Sequence, residues 1–297
     1  MDVAVGLVAQ RSNERAQRLA ARLVERLERL ESHPADDDRD DESEGESDRN
    51  HPVVVDEATG DAVDAPAVPV DEMSDRDFVV SIGGDGTLLF VAREVGPTPI
   101  LGVNLGEVGF LNAVVPADAV DVVTGLVDEY RETGSLDGRE LTRLEATPVD
   151  DDWTLEPAVN EIVVHGPRRG HGGGATIEVS VDGDRYTASH ADGALVATPT
   201  GSTAYNLSEG GPLVHPSADA LVVTGMAASD GLPSLVVDPT ATVRLVISDA
   251  ETGFVISDGR NERQIEPPAT IDVSVADEPI TLVGPPGNFL ESLEKLD

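Results

Sequence analysis

Apolar positions along this chain fall into distinct rhythms. Val3 to Val8 is a short, nearly continuous apolar run, the pattern of a strand buried on both faces. From Asn13 to Leu30 the spacing becomes helical. Leu19, Leu23, Leu27 and Leu30 recur every three or four residues, with Arg and Glu between them. Between residues 31 and 77 the periodicity is lost. Half of the twenty residues from Glu31 to Asn50 are acidic, and 51–72 scatter Val, Pro and Asp without a repeat. The segment therefore reads as a solvated, disordered insertion. Order returns at Phe78-Val79-Val80-Ser81-Ile82, a run closed by Gly83-Gly84-Asp85-Gly86-Thr87 and followed by a helix-like Leu88 to Arg93. Pro99 to Asn104 is another buried strand, and 116–133 carries one more helix on Val120, Val123, Leu126, Val127 and Tyr130.

Strand, helix and strand in alternation predict an α/β N-terminal domain with a parallel sheet, over residues 1–136. Ligands of such sheets sit outside the carboxyl ends of the strands, where the clusters at 83–87 and 104–111 both stand. After residue 137 the apolar positions alternate, as in Thr176 to Val181 and Val243 to Ile247. Asp-Gly pairs at 182–183, 192–193 and 258–259 read as turns, so 137–275 is expected to be an antiparallel β-domain. The last segment, 276–297, is helical from Asn288 to Leu296 and is expected to pack back on the first domain.

Charge narrows what such a protein can touch. Acidic residues number 57 against 20 basic ones, a formal net charge of −37. A phosphate backbone or an anionic membrane surface would be repelled, which excludes a general nucleic-acid or membrane binder. The basic residues are one lysine, Lys295, and 19 arginines. Lysine depletion with acid spread along the whole chain reads as adaptation to molar salt, where a Debye length of about 3 Å removes most self-repulsion. A Walker A loop needs Gly-Lys-Ser/Thr, and Lys295 has no such neighbours. Without cysteine there is no disulfide, thiolate zinc site or cysteine nucleophile. No apolar run approaches the roughly 18 residues that span a bilayer. Met1-Asp2-Val3-Ala4-Val5 has neither a basic region nor a cleavage site, so a cytoplasmic location is expected.

Three stretches could carry chemistry. Glycines at 83, 84 and 86, on a strand-to-helix turn, let backbone N–H groups approach phosphate oxygens. A carboxylate there, Asp85, would be repelled by phosphate unless it holds a metal or accepts a proton from a hydroxyl under phosphorylation. Asn160-Glu161 offers the donors and acceptors that suit a ribose diol or an adenine edge. Finally, Asp192-Gly193 leads through an apolar strand into Thr198-Pro199-Thr200-Gly201-Ser202-Thr203-Ala204-Tyr205-Asn206-Leu207-Ser208, a bend rich in hydroxyls. His165, His171, His190 and His215 show no zinc-ligand spacing.

Taken in order, GGDGT, NLG-x-x-GFL, NE and DG…TPTGSTAY-x-LS-x-GGP resemble the NAD kinases over the whole chain apart from the acidic insertion. GGDGT alone is shared with lipid kinases and phosphofructokinases, whereas the block at 192–212 is far more specific. The resemblance implies phosphorylation of the 2′-hydroxyl of the adenosine ribose of NAD by ATP or polyphosphate. It implies an α/β N-terminal domain, a β-sandwich-like C-terminal domain, and a homodimer or homotetramer. Position by position it assigns Asp85 as proton acceptor. It places Gly83, Gly84, Gly86, Thr87 and Asn104 at the nucleotide, with Asn160 and Glu161 on the NAD ribose and adenine. His171, His190, Asp192, Thr203, Ala204, Tyr205, Asn206, Leu207, Ser208 and Arg260 complete the expected contacts. Arg260 stands where many members have Gln, and Gly231-Leu232-Pro233 stands where the family usually carries Arg-Pro. Mg²⁺ is expected to bridge the donor phosphates, since no lysine is available to neutralise them. The rival readings are a lipid or sugar kinase built on GGDGT and a non-catalytic NAD(P)-sensing protein.

Overall fold

The first apolar run becomes β1 (Val5–Ala9), buried at all five positions. Asn13 then opens α1 (Glu14–Glu31). Its side-chain oxygen accepts the Arg15 N–H (3.0 Å) and the Ala16 N–H (3.4 Å), two donors that a helix start leaves without partners. Ala16, Leu19, Ala20, Leu23, Val24 and Leu27 make one buried stripe and join the core around β1. The chain continues through β2 (Val53–Asp56), α2 (Glu57–Gly60), β3 (Ala67–Val68), a 3₁₀ turn at Val70–Asp75, β4 (Phe78–Gly83), α3 (Asp85–Val95), β5 (Ile100–Asn104), α4 (Ala119–Thr133) and β6 (Gly138–Leu141).

Next come β7 (Leu144–Pro148), β8 (Glu161–His165), β9 (Ala175–Val181), β10 (Asp184–Ala191), β11 (Gly193–Ala197), α5 (Tyr205–Ser208) and β12 (Leu221–Met226). They are followed by β13 (Leu235–Val237), β14 (Val243–Ser248), β15 (Gly253–Ser257), β16 (Asn261–Ile265), β17 (Ala269–Val275), β18 (Ile280–Val283) and α6 (Phe289–Leu293). This computed structural model describes residues 2–31, 52–106, 109–167, 174–228 and 231–294. It divides into two units, Met1–Glu140 with Ile280–Asp297, and Leu141–Pro279.

The first unit is built on a seven-stranded sheet in the order β3-β2-β1-β4-β5-β18-β6, with β3, β2, β1, β4, β5 and β18 paired in parallel. The strand order reverses between β1 and β4, with β2 and β3 added on one side and β5 on the other, the place where sheets of this kind bind ligands. Two expectations are corrected here. Residues 52–77 are no structureless insertion, because Val53, Val54 and Val55 are buried in β2 beside β1. The boundaries expected at 136/137 and 275/276 lie a few residues later, because β6 and β18 both join the first sheet. The remainder of the acidic stretch, 32–51, lies outside the described residues.

In the second unit, a five-stranded sheet (β10-β9-β14-β17-β7) faces a six-stranded one (β13-β12-β11-β8-β15-β16), and both are antiparallel. Ile177, Val179, Leu245 and Val273 of the first meet Ile162, Val164, Val196 and Val255 of the second in one core, as in a β-sandwich. β8 and β11 are buried at every position, so their outer face is covered too. Val163, Leu195 and Ala197 pack there with Val214 and Tyr205, which fixes the 200–214 segment against that face.

Asp182-Gly183 and Asp258-Gly259 are hairpin turns with φ of 50° and 90°, and of 48° and 67°, the conformation in which Gly costs least. Asp192-Gly193 is not a turn. There the chain passes from β10 in one sheet to β11 in the other. No helix among the described residues is long and apolar enough to cross a membrane.

Candidate functional site

Each unit carries one cluster of the predicted residues. In the first, β4 ends at Gly83 and α3 starts at Asp85, with Gly84 between them in extended conformation. A side chain at Gly83 would strike the Thr87 hydroxyl, so the fold itself requires that glycine. At Gly84 and Gly86 a Cβ would meet nothing within 4 Å. Internal packing does not demand those two, and the open space suits close approach by a ligand.

The Asp85 carboxylate is gripped from one side. Its Oδ1 accepts from Asn112 Nδ2 (2.8 Å), the Leu111 N–H (3.3 Å) and the Asn112 N–H (3.4 Å). Its Oδ2 accepts from the Phe110 N–H alone (2.8 Å), which leaves a lone pair on that oxygen. Asn104 shapes the same loop by accepting the Gly106 N–H (2.8 Å), and the Leu105 N–H is held by the Gly83 carbonyl (3.1 Å). Phe110 and Leu111 belong to the cluster read at 104–111 but carried no role of their own, and Asn112 was not singled out. The signal for their role was a carboxylate in a glycine turn, which needs donors from somewhere.

In the second unit, Asn160 and Glu161 stand where the chain enters β8. Asp258, read from sequence only as part of a turn, braces them. Its carboxylate accepts the N–H groups of Val159 (2.9 Å), Asn160 (2.8 Å) and Glu161 (3.3 Å), and its own N–H donates to the Glu161 carbonyl (3.1 Å). The 198–201 bend is locked onto the same strand. Thr198 Oγ1 donates to the Val159 carbonyl (2.6 Å), the Thr198 N–H donates to the Asn160 carbonyl (2.9 Å), and a side chain at Gly201 would collide with that carbonyl. Glu161 is 5% exposed. It receives the backbone N–H of Tyr205, while its Oε2 has no partner.

Burial, reinforced by the charge of Asp258, pushes the Glu161 carboxyl up to about 8 against the opposing Tyr205 bond. An unfolded glutamate ionises near 4.5, so between that value and 8 the folded state holds an extra proton. Stability from this group is therefore complete below the unfolded value and is lost as pH rises towards 8, by up to several kcal/mol. Denaturant titrations from pH 5 to 9 in molar KCl should show a shallower fall for Glu161→Gln than for the parent. Equal slopes in the two proteins would refute the buried acid.

The other expected residues separate. Thr203, Ala204, Tyr205 and Leu207 are half-buried and Ser208 is exposed along the loop. Asn206 is fully buried: its amide donates to the carbonyls of Ser202 (3.2 Å) and Pro212 (3.0 Å) and accepts from Thr224 Oγ1 (2.8 Å). It holds the loop's shape. Arg260 is exposed at the hairpin tip that carries Asp258. Asp192 lies at the far end of β11, and His190 belongs to β10 in the other sheet. The register pairs Ala197 with Glu161 but Gly193 with His165, so about 13 Å of strand separates the Asp192 end of β11 from Glu161. His171 lies outside the described residues.

Both clusters fall inside matched family regions. Residues 5–130 match the ATP-NAD kinase N-terminal domain, and 159–284 match the ATP-NAD kinase C-terminal domain. The chain is 51% identical over 292 residues to the NAD kinase of Haloarcula marismortui, covering 98% of this chain and 99% of that one. It is 48% identical over 301 residues to the NAD kinase of Halobacterium salinarum, covering 99% of each. Among solved structures, yeast NADH kinase complexed with NADH superposes with a TM-score of 0.78 at 22% identity, over 100% of this chain and 88% of that one. An NAD kinase from Archaeoglobus fulgidus in complex with ATP gives 0.71 at 22% identity, over 99% and 98%. Those two likenesses concern the fold, whereas matches along nearly the full length at about half identity reach the lineage: the chain belongs to the NAD kinase family.

Proposed function

We propose that this NAD kinase takes its phosphoryl group from ATP and delivers it to the 2′-hydroxyl of the adenosine ribose of NAD, with Asp85 accepting the hydroxyl proton. The observation that carries the reading is Glu161 Oε2, a buried oxygen without a partner beside the half-buried Asn160. Such an oxygen costs free energy until a ligand hydroxyl or amine reaches it, and a ribose diol or an adenine edge offers that group. Tyr205 adds a face, the Ser208 hydroxyl a further donor, and the Thr203 hydroxyl, which donates to the Thr200 carbonyl (3.2 Å), an acceptor. On the first unit, the free lone pair of Asp85 Oδ2 is held in place by donors that leave the carboxylate little freedom to turn.

No group of three ligating side chains that could hold a metal occurs among the described residues. A Mg²⁺ ion carried on the phosphates of the nucleotide would find one carboxylate oxygen with a lone pair to spare, Asp85 Oδ2. Bound there, the ion would supply the charge neutralisation that lysine supplies in other nucleotide kinases.

The deciding experiment is a coupled assay of NADP formation in molar KCl, with ATP and polyphosphate as alternative donors and NADH as alternative acceptor. ATP-dependent NADP formation is the expected result. Phosphorylation of diacylglycerol or fructose 6-phosphate in its place would overturn the assignment. The reading includes a cytoplasmic homodimer or homotetramer, which light scattering in molar KCl checks for subunit number. It also includes a salt-loving source. With a net charge of −37, the melting temperature should climb as KCl rises from low to molar concentration. A flat or falling melting temperature would argue against it.

A further inference from the structure

At the carboxyl end of β18 the first unit encloses a hollow of about 310 Å³, at the lower end of the range for small-molecule pockets. Leu111, Val114, Leu282 and Pro285 contribute apolar wall. Two charged residues line it, Asp137 and Arg139, and both are exposed, which puts them at its mouth. Among the described residues neither charged group is engaged in an ion pair or a side-chain hydrogen bond. Arg143, four residues on, differs: it donates to the Glu278 carbonyl (2.7 Å) and lies near that residue's carboxylate (3.7 Å).

We propose that this hollow receives the nucleobase of the phosphoryl donor, a purine held by the apolar walls and read at its edge by Asp137 and Arg139. The inference rests on ATP being the donor. The mouth carries one charge of each sign, so it has no net attraction for a polyphosphate. An adenine edge presents an amino donor beside ring-nitrogen acceptors, which complements a carboxylate beside a guanidinium. Partial burial of its stem against the hollow pushes the Arg139 guanidinium below its ordinary value. The wall is also continuous with the catalytic loop. Leu111 lines the hollow, and its N–H donates to Asp85 Oδ1 (3.3 Å).

The test uses the full chain in molar KCl, comparing the parent with Asp137→Asn, Arg139→Gln and the double variant. Both side chains are exposed, and unchanged melting temperatures establish that the variants fold. The KM for ATP should rise at least about fivefold in Arg139→Gln and further in the double variant, with the KM for NAD unchanged. The preference for ATP over GTP, measured as kcat/KM, should fall at least about fivefold. An unchanged ATP KM and nucleotide preference in folded variants would overturn the proposal while leaving the NAD kinase reading intact. So would a rise confined to the KM for NAD, or equal use of ATP and GTP by the parent. Absence of ATP-dependent activity in the parent would remove the donor assignment, and this inference with it.

Discussion

Asp85→Asn should lower kcat by at least about 10²-fold while changing the KM for NAD far less. A ribose 2′-hydroxyl is a poor nucleophile at neutral pH, and a positioned carboxylate that takes its proton contributes about 10²- to 10⁴-fold. The structure places that carboxylate with one oxygen saturated by three donors and the other held by the Phe110 N–H with a lone pair to spare. An asparagine fits the same volume, but it must turn its NH₂ group towards one of those donors. The proton acceptor is lost and a donor loses its partner, a local cost of about 1–3 kcal/mol that a melting curve would register. NAD affinity is assigned mainly to Asn160, Glu161 and the 203–208 loop and should survive. Asn112→Ala provides a graded control, since it removes one of the four grips and leaves the acid in place. Recovery of the variant at raised Mg²⁺ would reassign Asp85 to metal binding, and parental turnover in Asp85→Asn would sink both roles.

Removing residues 33–72 and joining the ends should abolish the folded state. Read as an acidic spacer, the segment would be dispensable, but its second half supplies β2 and β3. The deletion takes away the buried valines at 53, 54, 55, 63 and 68, each worth about 1.5–3 kcal/mol. Together these losses match or exceed the 5–15 kcal/mol that typically separates folded from unfolded domains. They come with a further penalty at β1. The Ala9 N–H bonds to Asp56 Oδ1 (3.3 Å) and Thr59 Oγ1 (3.1 Å), and without them it is left unpaired beside the sheet. Circular dichroism and a melt in molar KCl read the outcome. A cooperative transition within a few degrees of the parent would mean that β2 is not part of the core.

Several elements were determined by local sequence alone. The runs at β1, β4 and β5 are apolar at nearly every position because parallel strands are covered on both faces, and that burial is written in the residues themselves. α1 is legible for a similar reason, since its buried stripe repeats at the helical period. The glycines of 83–86 announced a turn that a phosphate can approach. β2 was not legible. Four residues, Val53-Val54-Val55-Asp56, form a strand only because β1 lies ready to pair with them, and a local window contains no information about a partner some fifty residues away. Asp192-Gly193 had the residues of a turn, yet the two neighbouring strands belong to different sheets, which pairing decides. The site divides in the same way. Asp85, Asn160 and Glu161 are visible as residue types, but what gives them chemistry comes from elsewhere in the chain. Donors reach Asp85 across 25 to 27 residues, and Asp258 reaches Val159, Asn160 and Glu161 across 97 to 99. The raised acid and the unpartnered oxygen of Glu161 exist only when β8 is buried between β11 and β15, because desolvation belongs to the packed fold and to no residue on its own.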